Sequence, residues 1–270
     1  MATAAKRNSL PLLPRRRRVL LSGAAALTTA LVRPARGQTR LAAWHYYQSA
    51  PFELPGGGLL ADLTDYLNRA LEGRLVLTLN YLPRPRLNMM LQRQADGVIV
   101  LAPSTVFTGP AFRNFLWSLP IMADRQELLS LASRPVEYTT ANALAGLEIG
   151  AIRGHNYPAL QVAQQNGRLS TYALTGEQQM LDMLLAGRLD AITMATTSAD
   201  YLLHQRTGLA GRIHRSRKSL DSFTRHLLFT PGQHEAQRAC DAVLRKARGD
   251  PAWHDLFRHY GLSAFGPQQA

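Results

Sequence analysis

The chain has 270 residues with 31 Lys and Arg against 18 Asp and Glu, a formal +13 that ordinarily points to a polyanion partner. Its distribution argues against one: residues 1–37 hold eight of the basic residues and no acid, which leaves 23 against 18, only +5, for residues 38–270. The only cysteine, Cys240, rules out an internal disulfide and a paired-cysteine metal site. It lies far from any signal cleavage point, so it is no lipid anchor and reads as a small buried hydrophobe.

Residues 1–37 have the three parts of an export signal. A basic stretch ends at Arg18, and Val19 to Val32 runs without a charge. Ala35-Arg36-Gly37 then offers a small-x-small cleavage site that would release Gln38. The uncharged run is shorter than the ~20 apolar residues of a spanning helix. Arg16-Arg17-Arg18 directly before it resembles a twin-arginine signal. No later segment approaches membrane length, so the exported chain is expected to be soluble in the periplasm, without stable membrane insertion.

Leu41 to Trp44 opens as a strand, and Ala50 to Gly58 is a loop rich in turn residues. Leu60, Leu63, Tyr66, Leu67, Ala70 and Leu71 keep helical spacing, and Gly73 stops that helix. Strand formers follow from Leu75 to Leu82, then a short helix from Leu87 to Arg93 and a buried strand from Val98 to Leu101. Beyond Pro120, strands are predicted at Glu127–Ala132, Leu147–Ile152 and Asp190–Met194. Helices are expected from near Pro158 and from Gln178 to Ala186. Arg212 to Lys218 reads as a solvated basic loop, since it lacks the aromatic interleaving of a base-stacking surface. A short strand at Leu227–Thr230 leads to a helix from Glu235 to Arg248, and Asp250-Pro251 caps a last helix ending at Tyr260. Strands alternating with helices give an α/β protein with mainly parallel sheet. Residues 87–100 and 180–193 share one plan of helix, tight turn, Asp and apolar strand, which suggests two lobes built alike.

Enzyme signatures are missing. There is no Gly-x-Ser-x-Gly, Walker-type loop or His-Glu-x-x-His, and the eight histidines are too scattered to ligate a metal. No catalytic residue, metal or cofactor is assigned. Gly56-Gly57-Gly58 lacks dinucleotide-binding spacing and reads as a turn. Two loops after strands stand where open α/β sheets place ligands. One runs from Trp44 to Phe52, with Tyr46, Tyr47 and Phe52 able to stack on a solute. The other holds Arg153, His155, Asn156 and Tyr157 at a helix start, which favours an anionic group.

These residues resemble the periplasmic solute-binding proteins, specifically extracellular solute-binding protein family 3. The parallels are the aromatic-Pro-Phe loop from Tyr47 to Phe52 with Ala61-Asp62-Leu63, Pro85 through Gly97, and Trp117 to Pro120. They continue with Leu144 to Gly150 followed by Arg153-Gly154, and Ala186 to Ala191. The resemblance implies a type II binding-protein fold of two α/β lobes on a two-strand hinge, 38–124 with 225–270 forming lobe 1 and 125–224 an inserted lobe 2. It also implies a monomer without nucleic-acid affinity that delivers a small polar solute to an ABC importer permease by hinge closure. Carried onto this sequence, the ligand set adds Ser104, Arg113 and Thr197. Two departures concern the ligand. Arg113 is about two residues short of the family's carboxylate-binding arginine, and Ile192 to Ser198 lacks the family's ammonium-binding acid, which makes an ordinary α-amino acid doubtful. Two other readings stay open: an enzyme on the same scaffold (a dehydratase or peptidoglycan lyase, with Glu53, His45 and His155 near candidate loops), or a sensor for a membrane partner.

Overall fold

A computed structural model describes residues 38–155, 157–165 and 169–263. The expected export signal and Asn156 lie outside the described residues. The elements run β1 (Thr39–His45), α1 (Leu59–Ala70), β2 (Leu75–Tyr81), α2 (Arg84–Gln92), β3 (Val98–Pro103), β4 (Leu116–Trp117) and β5 (Met122–Leu131). Then come β6 (Glu148–Ile152), α3 (Pro158–Gln165), β7 (Ser170–Leu174), α4 (Glu177–Leu185), β8 (Ala191–Ala195) and α5 (Thr196–Gln205). β9 (Ile213–Arg215), β10 (Asp221–Phe229), α6 (His234–Ala247) and α7 (Pro251–His259) complete the chain.

The strands hydrogen-bond in the order β2-β1-β3-β10-β5-β8-β6-β7, with β4 on β10 and β9 on β5. The outer triplets β2-β1-β3 and β8-β6-β7 are parallel inside themselves, whereas β10 and β5 are antiparallel to each other and to their neighbours β3 and β8. The internal echo has a structural counterpart. α2 leads into β3 and α4 into β8, and these two strands flank the central antiparallel pair from opposite sides. β3 and β8 are buried along their whole length, which is why they read as apolar runs without alternation.

Apolar packing divides into two parts. On one side α1 lays Leu60, Leu63 and Leu67 against Leu41, Leu77, Val98 and Phe229, while α6 and α7 close over them with Cys240, Leu244, Trp253 and Phe257. The other side gathers Leu129, Met180, Leu181, Leu184 and Ile192, continued by Leu128, Ile149 and Leu160. The two parts also touch directly: Ala50 packs against the second cluster, and Tyr201 lies 6.3 Å from Tyr260, ring centre to ring centre. The final helix begins as its sequence requires. Asp250 accepts from Ala252 N at 2.9 Å, and Tyr66 Oη donates to its other oxygen at 2.7 Å.

Two expectations need correction, and two elements were not expected. The strand expected at Leu227–Thr230 is β10, nine residues long and beginning at Asp221, because Asp221, Ser222, Thr224, Arg225 and His226 break its apolar pattern. The basic stretch Arg212–Lys218 is not only loop: Ile213–Arg215 pairs with β5, and Arg215 is held there by Glu127 and Asp200. β7 and α5 carry no apolar run strong enough to have announced them. No helix among the described residues is long and apolar enough to cross a membrane.

Candidate functional site

The C-terminal ends of β1, β3, β6 and β8 deliver their loops to the two central strands, the place where open α/β sheets put ligands. At that convergence sits an arginine the sequence reading did not single out. Arg225 on β10 is 3% exposed, and its Nε and Nη2 both donate to Asp124 Oδ2 on β5 at 2.7 Å. Nη1 donates to Tyr47 Oη at 2.7 Å, and the guanidinium lies over Phe52 and Phe223 at 4.7 and 5.1 Å. Tyr47 Oη in turn donates to Leu101 O at 2.7 Å. Burial alone would weaken the charge of Arg225, but Tyr47 and Asp124 outweigh it and raise its pKa.

Asp124 is the collecting point. Besides Arg225 it accepts from Arg125 N at 2.8 Å, and from Thr197 N at 3.2 Å and Thr197 Oγ1 at 2.8 Å at the start of α5. A carboxylate with this many donors is satisfied, so it is not available to a solute. Tyr47, Phe52 and Thr197 therefore meet in one network, through two residues absent from the sequence-based set. Their side chains serve chiefly to hold the arginine–aspartate pair.

Around this pair lie groups with spare capacity. Tyr46 stacks on Tyr47 at 4.6 Å, and the guanidinium of Arg84, at the start of α2, covers Tyr46 and Phe107 at 4.9 and 4.5 Å. Arg84 also donates to Asn88 at 3.0 Å. Across from it, His155 Nδ1 stands 3.4 Å from Tyr157 Oη. Burial, and then Arg225 and Arg84, hold the His155 imidazole below its ordinary pKa. The residue is nevertheless exposed. Arg153 is exposed at the end of β6, with one contact from Nη2 to Ala173 O at 3.3 Å.

The second wall carries an acid that sequence reasoning passed over. Glu177 opens α4, and burial pushes its carboxyl up to about 7. Ser198, Ser49 and Arg225 pull it back, while Asp124 adds to the rise. Its Oε2 is out of reach of water and in no well-formed hydrogen bond, and neither are Ser198 Oγ and Thr193 Oγ1, although Ser198 stands close enough to favour the ionised form. Burial likewise raises the Tyr157 phenol, which lies beside both Thr193 and Glu177.

Two residues of the sequence-based set stand apart from this cluster. Ser104 ties β3 to β10: its amide donates to Thr224 O at 2.9 Å and its Oγ accepts from Thr224 N at 3.1 Å. Arg113 is exposed after a single 3₁₀ turn, and among the described residues nothing links its side chain to the others. A hollow of about 690 Å³ lies elsewhere, at Asp200, His204, His214, Arg215 and Gly261, and shares no residue with the cluster. No group of three or more His, Cys, Asp and Glu among the described residues is placed to hold a metal ion. Arg225 and Asp124 escaped notice because they occupy the two strands whose polar residues hide their periodicity. A first-turn glutamate such as Glu177 reads as ordinary helix-dipole chemistry.

No protein-family model matches the sequence, and no curated protein is similar to it. Solved structures are similar in fold. The ligand-binding core of GluR0 from Nostoc punctiforme, in complex with L-glutamate, has a TM-score of 0.64 at 13% identity, over 82% of this chain and 98% of its own. An arginine 3rd transport system periplasmic binding protein from Legionella pneumophila has 0.61 at 20% identity, over 82% and 99%. The holo arginine-binding protein ArgBP of T. maritima has 0.58 at 16% identity, over 82% and 95%. The chain has the α/β fold of these two-lobed, type II periplasmic binding proteins.

Proposed function

We propose that the chain is an exported solute-binding protein that captures a small polar solute bearing an anionic group between its two lobes and presents it to the permease of an ABC importer. Lobe 1 comprises 38–124 with 225–270, and lobe 2 comprises 125–224. The arginine signal sends the chain to the periplasm, where it works as a monomer. The observation that carries this reading is the convergence of Tyr47, Phe52 and Thr197, from loops on both sides of the sheet, on Arg225 and Asp124, with the guanidinium of Arg84 over the neighbouring Tyr46 and, among the described residues, no acid in an ion pair with Arg84 or Arg153. Asp124 is held by Arg225, and Glu127 by Arg125 and Arg215, so neither of these acids competes with a solute for Arg84 or Arg153. Solutes bound in the relatives' structures, L-glutamate in one and arginine in others, support capture of a small polar molecule. The lack of an acid from Ile192 to Ser198, before Asp200, argues against an ordinary α-amino acid held in the family's usual way.

Titration calorimetry of the purified chain with small carboxylates tests the reading. Saturable binding without consumption of the compound supports it, whereas turnover replaces it with the enzyme reading. Arg153→Ala should weaken the anion at least tenfold, about 1.4 kcal/mol. Unchanged affinity removes Arg153 from the site.

A further inference from the structure

The hollow of about 690 Å³ belongs to no part of the cluster, and its size is that of an ordinary small-molecule site. α5, the chain that follows it and β9 form one side, and Gly261, just past α7, forms the other. Both sides are held in place. The Tyr201 ring lies 6.3 Å from that of Tyr260, and the His204 ring stands so near Gly261 that a Cβ there would be 3.3 Å from it. Arg215 on β9 donates to Glu127 at 3.1 Å and pairs with Asp200 on α5. The hollow is therefore formed before anything enters it, which spares a ligand the cost of ordering its walls.

The lining combines reachable apolar surface with open donors. Leu203 and Ile213 belong to the second apolar cluster yet keep 9% and 8% of their surface exposed, and Ala210 adds an exposed methyl. Asp200 is the one acid among the lining residues, and Arg215 holds it. Arg206 donates from Nη1 to Asp182 at 3.0 Å, and among the described residues the rest of its planar fork is open. His204 and Thr207 are exposed, and among the described residues no hydrogen bond or ion pair engages their side chains. An open guanidinium edge beside neutralised acids and apolar surface suits a molecule with one negative charge and an apolar remainder.

We propose that this hollow is a second ligand site, separate from the cluster at Arg225, and that it takes a small monocarboxylate with an apolar body. The body covers Leu203, Ala210 and Ile213, and the carboxylate meets the open edge of Arg206, with His204 and Thr207 as further donors. A second negative charge on the ligand would meet Asp182 and Asp200, which limits it to one. The site stands whatever the Arg225 cluster binds.

The test is a titration of the full chain, labelled at its leucine and isoleucine methyls, with benzoate and with phenylacetate, followed by NMR. The expected result is saturable movement of the Leu203 and Ile213 signals, with a Kd at or below about 1 mM for at least one of the two acids. Benzylamine, with the opposite charge, and acetate, with no body, should bind at least about tenfold more weakly. Arg206→Gln should weaken the carboxylate at least about fivefold, and Thr207→Trp, which fills the hollow, should remove it. Thermal midpoints within about 2 °C of wild type show that the variants are folded, and the wild-type titrations decide the matter by themselves if one is not. Still signals at about 10 mM of both acids overturn the proposal. So does movement confined to Leu101 and Leu227, which would put the ligand at the Arg225 cluster. Benzylamine binding as tightly as benzoate, or undiminished binding in folded Arg206→Gln, overturns it as well.

Discussion

Arg225 and Asp124, 101 residues apart in sequence, meet through two 2.7 Å hydrogen bonds on neighbouring strands, and each is 3% exposed. A buried pair of this kind adds little over an apolar equivalent, but losing one member leaves a desolvated charge. Asp124→Ala is therefore expected to cost about 3–5 kcal/mol, read as a lower urea midpoint at unchanged slope. The double variant Asp124→Leu with Arg225→Met should cost less than the single one. A single-variant loss below about 1 kcal/mol would show that water or rearrangement compensates Arg225.

Stability should also depend on pH through Glu177. Its carboxyl is raised from 4.5 to about 7 in the folded chain, so the folded state holds the proton more tightly than the unfolded one. That contribution is fully present below about 4.5 and is lost as pH rises through 7, by about 3 kcal/mol at most. Comparing wild type with Glu177→Gln between pH 5 and 8 isolates it, because the variant should lack this part of the slope. Parallel curves for the two proteins would contradict the assignment.

Gly97 is fixed by close packing. A Cβ there would stand 2.3 Å from the Trp44 ring, which is itself buried against Leu87, Ile99 and Leu228. The backbone cannot yield easily either, since Thr230 bonds to both the amide and the carbonyl of Gly97. Gly97→Ala is expected to destabilise by about 1–3 kcal/mol or more, and Trp44→Leu in the same chain to recover part of that loss. Thermal unfolding of the three proteins decides the matter. No penalty for the alanine would mean that the indole moves freely.

Cys240 offers a simple probe of opening. It has no exposed surface, and burial pushes its thiol up to about 12, so it is neither reachable nor ionised at neutral pH. A thiol reagent should label it only as fast as the α6 region opens, with denaturant speeding the reaction steeply. Immediate stoichiometric labelling of native protein would show α6 to be loosely held.

The sequence was most readable where one face of an element meets one core. α1, α6 and α7 keep their leucines and aromatics at helical spacing, and Gly73 and Asp250 mark their ends. It was least readable along β5 and β10, where successive residues face different surroundings and no period survives. Arg225 is the clearest example: it lies among Asp221, Ser222, Thr224 and His226, and only the fold turns it inward onto Asp124. The loops carrying Tyr46, Tyr47, Phe52, Arg153, His155 and Tyr157 were visible because each follows a strand. The partners that give them their roles, Arg84, Asp124 and Glu177, come from distant segments with no local signal.

Gln126 and Asp221 face one another in the β5–β10 ladder, so the chain between them begins and ends at one rung, with Cα atoms about 5 Å apart. The stem of that excursion is already closed. Residues 127–220 can accordingly be handled as a cassette, exchanged for the matching segment of another protein or bracketed by a pair of fluorophores at its two roots. Neither manipulation requires a linker to bridge a gap.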